Sequence, residues 1–253
     1  MGKKTKPEID LAQVRKAVVA LKKYAGKLQD EGSELLPDGD DFMSLQIALQ
    51  KMPVTPRKDK PVRLPVPHPL YEVGGCEVCL IVKDHKGEGH ALAKELHAQM
   101  QGTGITKIIG LSKLRTKYES FEAKRKLCAS YEVFLADERV LPSLPKLLGK
   151  TFFRKKRQPV PVDLRGANWG AQVRKALGAT YLYLSQGTCL SVRVARVKDG
   201  VDEAVENVAA VVEQACEKIP RKWDNVLALY LKLPGSAALP IYQTLPTPPT
   251  KIE

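Results

Sequence analysis

Residues 78–82 (VCLIV) form an unbroken apolar run between Glu77 and Lys83. A strand that is apolar on both faces must be covered on both faces, as happens in a parallel sheet sandwiched between helices. The neighbouring segments point the same way. Residues 88–101 read as a helix and 105–111 as a short strand. Residues 120–130 read as a helix with Phe121, Lys124 and Cys128 along one side, and 133–136 as another strand. Strand, helix, strand, helix and strand over about 65 residues make a small parallel α/β unit.

The flanking sequence follows a different grammar. In residues 9–28, Leu11, Val14, Val18, Leu21, Ala25 and Leu28 recur at three- and four-residue steps, the period of one helix face, with Asp10 placed to cap it. In 44–51, Leu45, Ile47 and Leu49 alternate with polar residues, which predicts a half-buried strand. Residues 53–69 carry six prolines and must be extended or irregular, with Val62, Leu64 and Val66 able to form an edge strand. Later, 160–164 reads as a strand, 168–177 as a helix that Asn168 can cap, and 191–197 as an alternating strand. Residues 201–219 read as a long amphipathic helix, and 226–233 and 237–242 as two further strands. The first helix and strand have no partners unless they join this later part. The expected organisation is therefore a discontinuous α+β domain, 1–70 plus 160–253, interrupted by an inserted α/β domain at 71–159. Proline-rich crossings at 61–69 and 159–161 are the expected hinges. The tail from 246 to 253 is expected to fray.

Charge narrows the partner. There are 41 Lys+Arg against 28 Asp+Glu, a net charge of 41 − 28 = +13. Residues 146–157 (KLLGKTFFRKKR) hold six basic side chains and no acid, and 107–126 hold seven against Glu119 and Glu122. Residues 51–63 hold five against Asp59, whereas 30–41 hold six acids and no base. Clusters of this kind suit a face that tracks phosphates, and they favour a nucleic acid over an acidic membrane surface. No apolar run approaches the ~18 residues of a membrane span. No secretory signal is expected at the basic start, and five scattered cysteines do not make a disulfide framework.

The chemical motifs are weak. Cys76 and Cys79, with His85 and His90 downstream, lack a second cysteine pair, and i and i+3 on a strand point to opposite faces. No metal site is expected. Gly87-Glu88-Gly89 opens a helix after a strand, but the third glycine of a dinucleotide loop is absent. No cofactor is expected. Asp84-His85 beside Asp137-Glu138 could make an acid/base pair at the strand ends, but there is no serine elbow, and no enzyme is expected. Phe152-Phe153 could stack on bases; the favoured reading has them seal the hinge between the domains. Arg165, Arg174, Lys175, Arg193 and Arg196 could extend a basic surface over the discontinuous domain, and Arg193, between Val192 and Val194, belongs on the polar face of its sheet.

The order of segments resembles the ribosomal protein L-one domain family. The resemblance is carried by 64–70 (LPVPHPL), 78–84 (VCLIVKD), 133–139 (VFLADER), 144–157 (LPKLLGKTFFRKKR), 187–194 (GTCLSVRV) and 230–242 (YLKLPGSAALPIY). It implies a two-domain α/β fold in which a discontinuous α+β domain carries an inserted Rossmann-like three-layer α/β domain. The wording is closer to the nucleolar ribosome-biogenesis branch than to the ribosomal protein. Where the latter has a glycine-rich turn, Gly149 is followed here by Lys150-Thr151-Phe152-Phe153. Where it has a Thr-Met-Gly-type loop, this chain reads Leu233-Pro234-Gly235-Ser236. Larger members carry long lysine-rich tails; with Glu253 last, no tail-dependent function is expected.

The resemblance implies a non-enzymatic factor that binds precursor rRNA in pre-ribosomal particles of the nucleolus, with other ribosome-assembly factors as partners. No membrane and no small-molecule substrate is implied. RNA contacts are expected from Lys232, Gly235 and Ser236, from Gln186, Gly187, Thr188, Ser191 and Arg193, and from Lys150, Arg154, Lys155, Lys156 and Arg157. The alternatives are a large-subunit ribosomal stalk protein and a protein-interaction adaptor within pre-ribosomes.

Overall fold

The computed structural model describes residues 9–30, 41–53, 61–72, 74–84, 104–154, 157–164, 169–184 and 187–244. The expected helix at 88–101, the Gly87–Gly89 turn, His85, His90, His97 and the tail lie outside them, as do Arg165, Asn168, Lys155, Lys156 and Gln186. By its contacts the chain divides into two compact units. One comprises Met1–Lys58, Val62–His68 and Thr180–Glu253; the other comprises Asp59–Pro61 and Pro69–Ala179.

The first unit is built on an antiparallel sheet. Its strands are β1 (Phe42–Leu49), β8 (Cys189–Arg196), β9 (Val226–Lys232) and β10 (Leu239–Gln243), in the order β10-β9-β1-β8. A short pair, β2 (Val62–Pro65) with β7 (Ala179–Leu182), completes its strands. Strict alternation along β1 puts Met43, Leu45, Ile47 and Leu49 in the core and leaves Phe42, Ser44, Gln46 and Ala48 half-buried on the other side. Two helices cover the core side: α1 (Leu11–Asp30) and a long C-terminal helix, Val201–Lys218. Val14, Val18 and Leu21 of the first meet Val208, Val211 and Val212 of the second in one cluster with the sheet. Asp10 caps α1 as expected: its Oδ1 accepts from the amides of Ala12 at 2.9 Å and Gln13 at 3.3 Å. At the second helix, the Glu203 carboxylate accepts from the Gly200 amide at 2.8 Å.

Register is broken at one informative place. Met43 faces Ala195 but Ser44 faces Arg193, so β8 holds an extra residue, Val194, opposite that step. Val194 and Ala195 are both buried as a result.

The second unit carries four parallel strands. They are β3 (Val78–Val82), β4 (Ile105–Gly110), β5 (Val133–Asp137) and β6 (Val160–Val162), in the order β4-β3-β5-β6. β3 and β5 are buried along their whole length, as the apolar run requires. The helices are α2 (Leu111–Thr116), α3 (Phe121–Ser130), α4 (Leu144–Leu148), α5 (Lys150–Arg154) and α6 (Trp169–Leu177); the C-terminal helix of the first unit is α7. Cys76, Val78, Leu80 and Val82 join α6 on one side of the sheet. Cys79, Ile81 and Phe134 join α3, α4 and Phe152 on the other.

Two expectations are corrected. Residues 160–179 do not belong to the discontinuous domain: β6 pairs in parallel with β5, and the chain crosses back between Ala179 and Thr180 rather than at 159–161. The three-residue strand is too short for its composition to reveal which sheet it joins. Phe152 and Phe153 do not seal a hinge. Phe152 is fully buried in the second unit's own core, edge-on to Phe134 at 4.9 Å, and Phe153 packs against the same cluster.

Candidate nucleic-acid interface

The face of the antiparallel sheet opposite the helices is laid out by pairing. Ser44 of β1 lies between Arg193 of β8 and Lys232 of β9. The next outward row is Ser191, Gln46 and Tyr230, followed in register by Cys189, Ala48 and the buried Ala228. Hydrogen-bonding side chains and two cations thus sit in register, backed by the apolar partners that point into the core. The Cζ atoms of Arg193 and Arg196 lie 4.5 Å and 4.9 Å from the centroid of the Phe42 ring. The ring packs against both guanidinium groups at the edge of the sheet. On the far side, Tyr230 Oη accepts from Gln243 Nε2 at 3.4 Å.

The turn after β9 is tied from both sides. Gly235 adopts φ +79°, a left-handed conformation that glycine reaches without strain, and it is exposed. Its carbonyl accepts from Tyr24 Oη of α1 at 3.3 Å. Ser236 is buried: its Oγ accepts from the Leu233 amide at 2.9 Å and lies 3.1 Å and 3.0 Å from the carbonyls of Leu233 and Ala237. Ser236 therefore pins the turn and does not present its hydroxyl to a ligand. Gly187 and Thr188 precede β8, where the Thr188 carbonyl accepts from the Leu49 amide at 2.7 Å and Thr188 is exposed.

In the second unit, Lys146 and Lys150 are exposed on α4 and α5. Arg154 ends α5. Arg157 is engaged within its own unit. Its Nη1 donates to the carbonyls of Cys128 at 2.7 Å and Tyr131 at 3.3 Å, closing the C-terminal end of α3. At the strand ends Asp84 and Asp137 each have a partner of their own, while His85 lies outside the described residues. Asp137 is buried and bound to Arg139, whose Nε lies 3.0 Å and Nη2 2.8 Å from Asp137 Oδ2. This hydrogen bond raises the Arg139 pKa further above its ordinary value. Asp84 accepts from the Ser112 amide. Cys76 and Cys79 are buried on opposite sides of the parallel sheet, and burial pushes the Cys79 thiol up to about 12. Among the described residues no three His, Cys, Asp or Glu side chains are grouped so as to hold a metal ion, and no helix is long and apolar enough to cross a membrane.

Of the expected contacts, Ser191, Arg193 and Lys232 share one face, with Gly235 and Thr188 on turns of the same unit. Lys150, Arg154 and Arg157 belong to the other unit. The sequence reading missed Phe42, Ser44, Gln46 and Tyr230. The alternation around Leu45 and Ile47 carried the signal for the first three, because the residues between core positions must face outward.

The architecture defines a mixed α/β protein, with an antiparallel sheet in one unit, a parallel sheet in the other, and a cation-bearing polar face on the first. The model of the ribosomal protein L1p/L10e family matches residues 21–237, and the chain belongs to that family. It is 32% identical over 244 residues to the "Ribosomal L1 domain-containing protein 1" of Mus musculus, covering 95% of this chain and 53% of the relative. It is 32% identical over 224 residues to a Schizosaccharomyces pombe relative named "Putative ribosome biogenesis protein", covering 87% and 58% respectively. The large ribosomal subunit protein uL1y of Arabidopsis thaliana is 26% identical over 224 residues, 87% of this chain and 92% of the relative. The chain thus spans little more than half the length of the first two relatives.

Proposed function

We propose that the chain is a non-enzymatic ribosome-assembly factor that binds precursor rRNA in pre-ribosomal particles of the nucleolus, alongside other assembly factors. The observation that carries this reading is the registered outward row Arg193–Ser44–Lys232 over Ser191–Gln46–Tyr230. A-form RNA is recognised by shape, through ribose hydroxyls and phosphates across its shallow minor groove. A twisted sheet face with short hydroxyl and amide side chains between two cations suits that surface, and the exposed Gly235 turn lets main chain approach ribose closely. A net charge of +13 supplies the long-range attraction. In this reading the antiparallel unit is the discontinuous α+β domain and the parallel unit an inserted Rossmann-like domain. Lys150 and Arg154 would supply further phosphate contacts from that second domain. The Schizosaccharomyces pombe relatives named for ribosome biogenesis favour assembly over the mature stalk.

The test is a pair of charge reversals, Lys232→Glu and Arg193→Glu, measured against a hairpin of precursor rRNA across a salt series. Each should weaken binding and reduce the salt slope by about one. Unchanged affinity and slope would refute the interface. In cells, RNA crosslinked to the chain should be enriched in transcribed spacer or adjoining unprocessed rRNA. Reads confined to mature stalk rRNA would instead make the chain a ribosomal protein.

A further inference from the structure

The second unit has a surface of different character on its α2–α3 side. Phe121, in the first turn of α3, is 78% exposed, whereas Leu127 and Cys128 of the same helix are buried. Its position is fixed. Ser120 caps the helix, its Oγ accepting from the Ala123 amide at 3.2 Å, so the ring is held outward from a formed turn. The Lys124 ammonium lies 5.7 Å from the ring centroid. Arg125 lies beside it at the four-residue step, and Lys117 precedes it by four residues in the chain. The acids of these two helices do not neutralise this group. Glu122 is paired with Lys126 at 2.8 Å, which leaves Glu119 against the three cations Lys117, Lys124 and Arg125 within four residues of the ring.

One exposed apolar side chain is ordinary on a protein surface. An exposed ring held in place among such cations is the pairing that single-stranded nucleic acids require: a flat surface for a base and charges for the phosphates on either side. An A-form helix keeps its bases stacked and offers none to such a ring. We propose that this face of the second unit binds single-stranded RNA. One base stacks on Phe121 while neighbouring phosphates meet Lys117, Lys124 and Arg125. The proposal rests on the RNA-binding reading above and adds a contact of different chemistry to it.

The test uses the full chain with two probes, a uridine dodecamer and a closed RNA hairpin, followed by fluorescence anisotropy. Phe121→Ala should weaken the dodecamer at least about fivefold and leave the hairpin unchanged, since a base stacked on an aromatic side chain contributes about 1–3 kcal/mol. Phe121→Trp should retain or tighten dodecamer binding. Lys117→Gln with Arg125→Gln should lower the dodecamer salt slope by about 1.4, at about 0.7 per phosphate on a single strand. All three positions are exposed, so the variants should fold, as circular dichroism will report. Dodecamer binding unaffected by Phe121→Ala, with hairpin binding intact, overturns this proposal alone and leaves the ring to a protein partner. Failure of the unaltered chain to bind either probe overturns the RNA-binding reading itself.

Discussion

Asn207 offers a quantitative test of what holds the first unit together where the chain leaves it. The residue lies on α7 and is 1% exposed. Its side-chain amide grips one residue of main chain from both sides: Oδ1 accepts from the His68 amide at 3.0 Å, and Nδ2 donates to the His68 carbonyl at 2.9 Å. His68 is the last residue of the first unit before Pro69 begins the long segment of the second. Asn207→Ala removes both bonds and leaves both main-chain groups without that partner. A buried polar group left unpaired costs about 1–3 kcal/mol. His68 is half-buried, so water recovers part of each loss and the sum should be about 2–4 kcal/mol. At about 2–4 °C per kcal/mol for a unit of this size, the midpoint should fall by about 4–16 °C. The chain has two tryptophans, and Trp223 packs edge-on to Tyr242 at 5.8 Å in the first unit while Trp169 belongs to the second. In a Trp169→Phe background, tryptophan emission during thermal and urea unfolding reports the first unit alone. A Trp223 transition within about 0.5 kcal/mol of the parent would refute the reasoning, because it would mean that the amide grip is replaced by water at no cost.

Arg157→Ala should destabilise the second unit by about 1.5–3 kcal/mol through loss of a charged donor to two carbonyls, and Arg157→Lys should rescue it only in part; Trp169 emission in a Trp223→Phe background measures both. Burial raises the thiols of Cys79 and Cys216 from 9.0 to about 12. Each therefore ionises first in the unfolded chain, so stability should fall as pH rises from 9 towards 12, by up to about 1.4 kcal/mol per pH unit per thiol. A denaturation series should show this loss, and Cys216→Ala should remove the first unit's share of it. In the native chain only Cys189 of the five cysteines is exposed, so one thiol should react rapidly with a disulfide reagent at about pH 8 and all five after unfolding. Gly235→Ala should cost about 1 kcal/mol, since φ +79° disfavours a side chain, and should weaken hairpin RNA more than Tyr24→Phe, which removes only the 3.3 Å tie.

Much of the fold was legible because periodicity is a direct record of burial. The run at Val78–Val82, the alternation around Leu45 and Ile47, and the three- and four-residue steps from Val14 to Ala25 each appear as read. Failures cluster where an element is too short to show a period. β7 spans only Ala179–Leu182 and has no signature in the sequence; β6 spans only Val160–Val162 and reads as part of the wrong unit. The candidate site was legible as charge but not as role. Arg157 and Ser236 look like contact residues in a basic run and a polar turn, yet each spends its hydrogen bonds on main chain of its own unit. Sequence shows which donors exist; only the fold shows which are already engaged. Phe42 was missed because it precedes the segment 44–51 in which the alternation was read, although it continues the same outward set.

The extra residue in β8 alters the parity of the strand. Along an unbroken pleat, Arg193 and Arg196, three apart, would point to opposite sides, and one guanidinium would be driven among the valines beneath the sheet. With Val194 and Ala195 both turned inward, the odd separation becomes an even one, and both arginines arrive at the same ring on the same side. The inserted residue works like a frameshift in reverse. It restores a common reading of inside and outside to a sequence whose spacing had lost it, and so the strand doubles its positive charge at that corner without losing a core position.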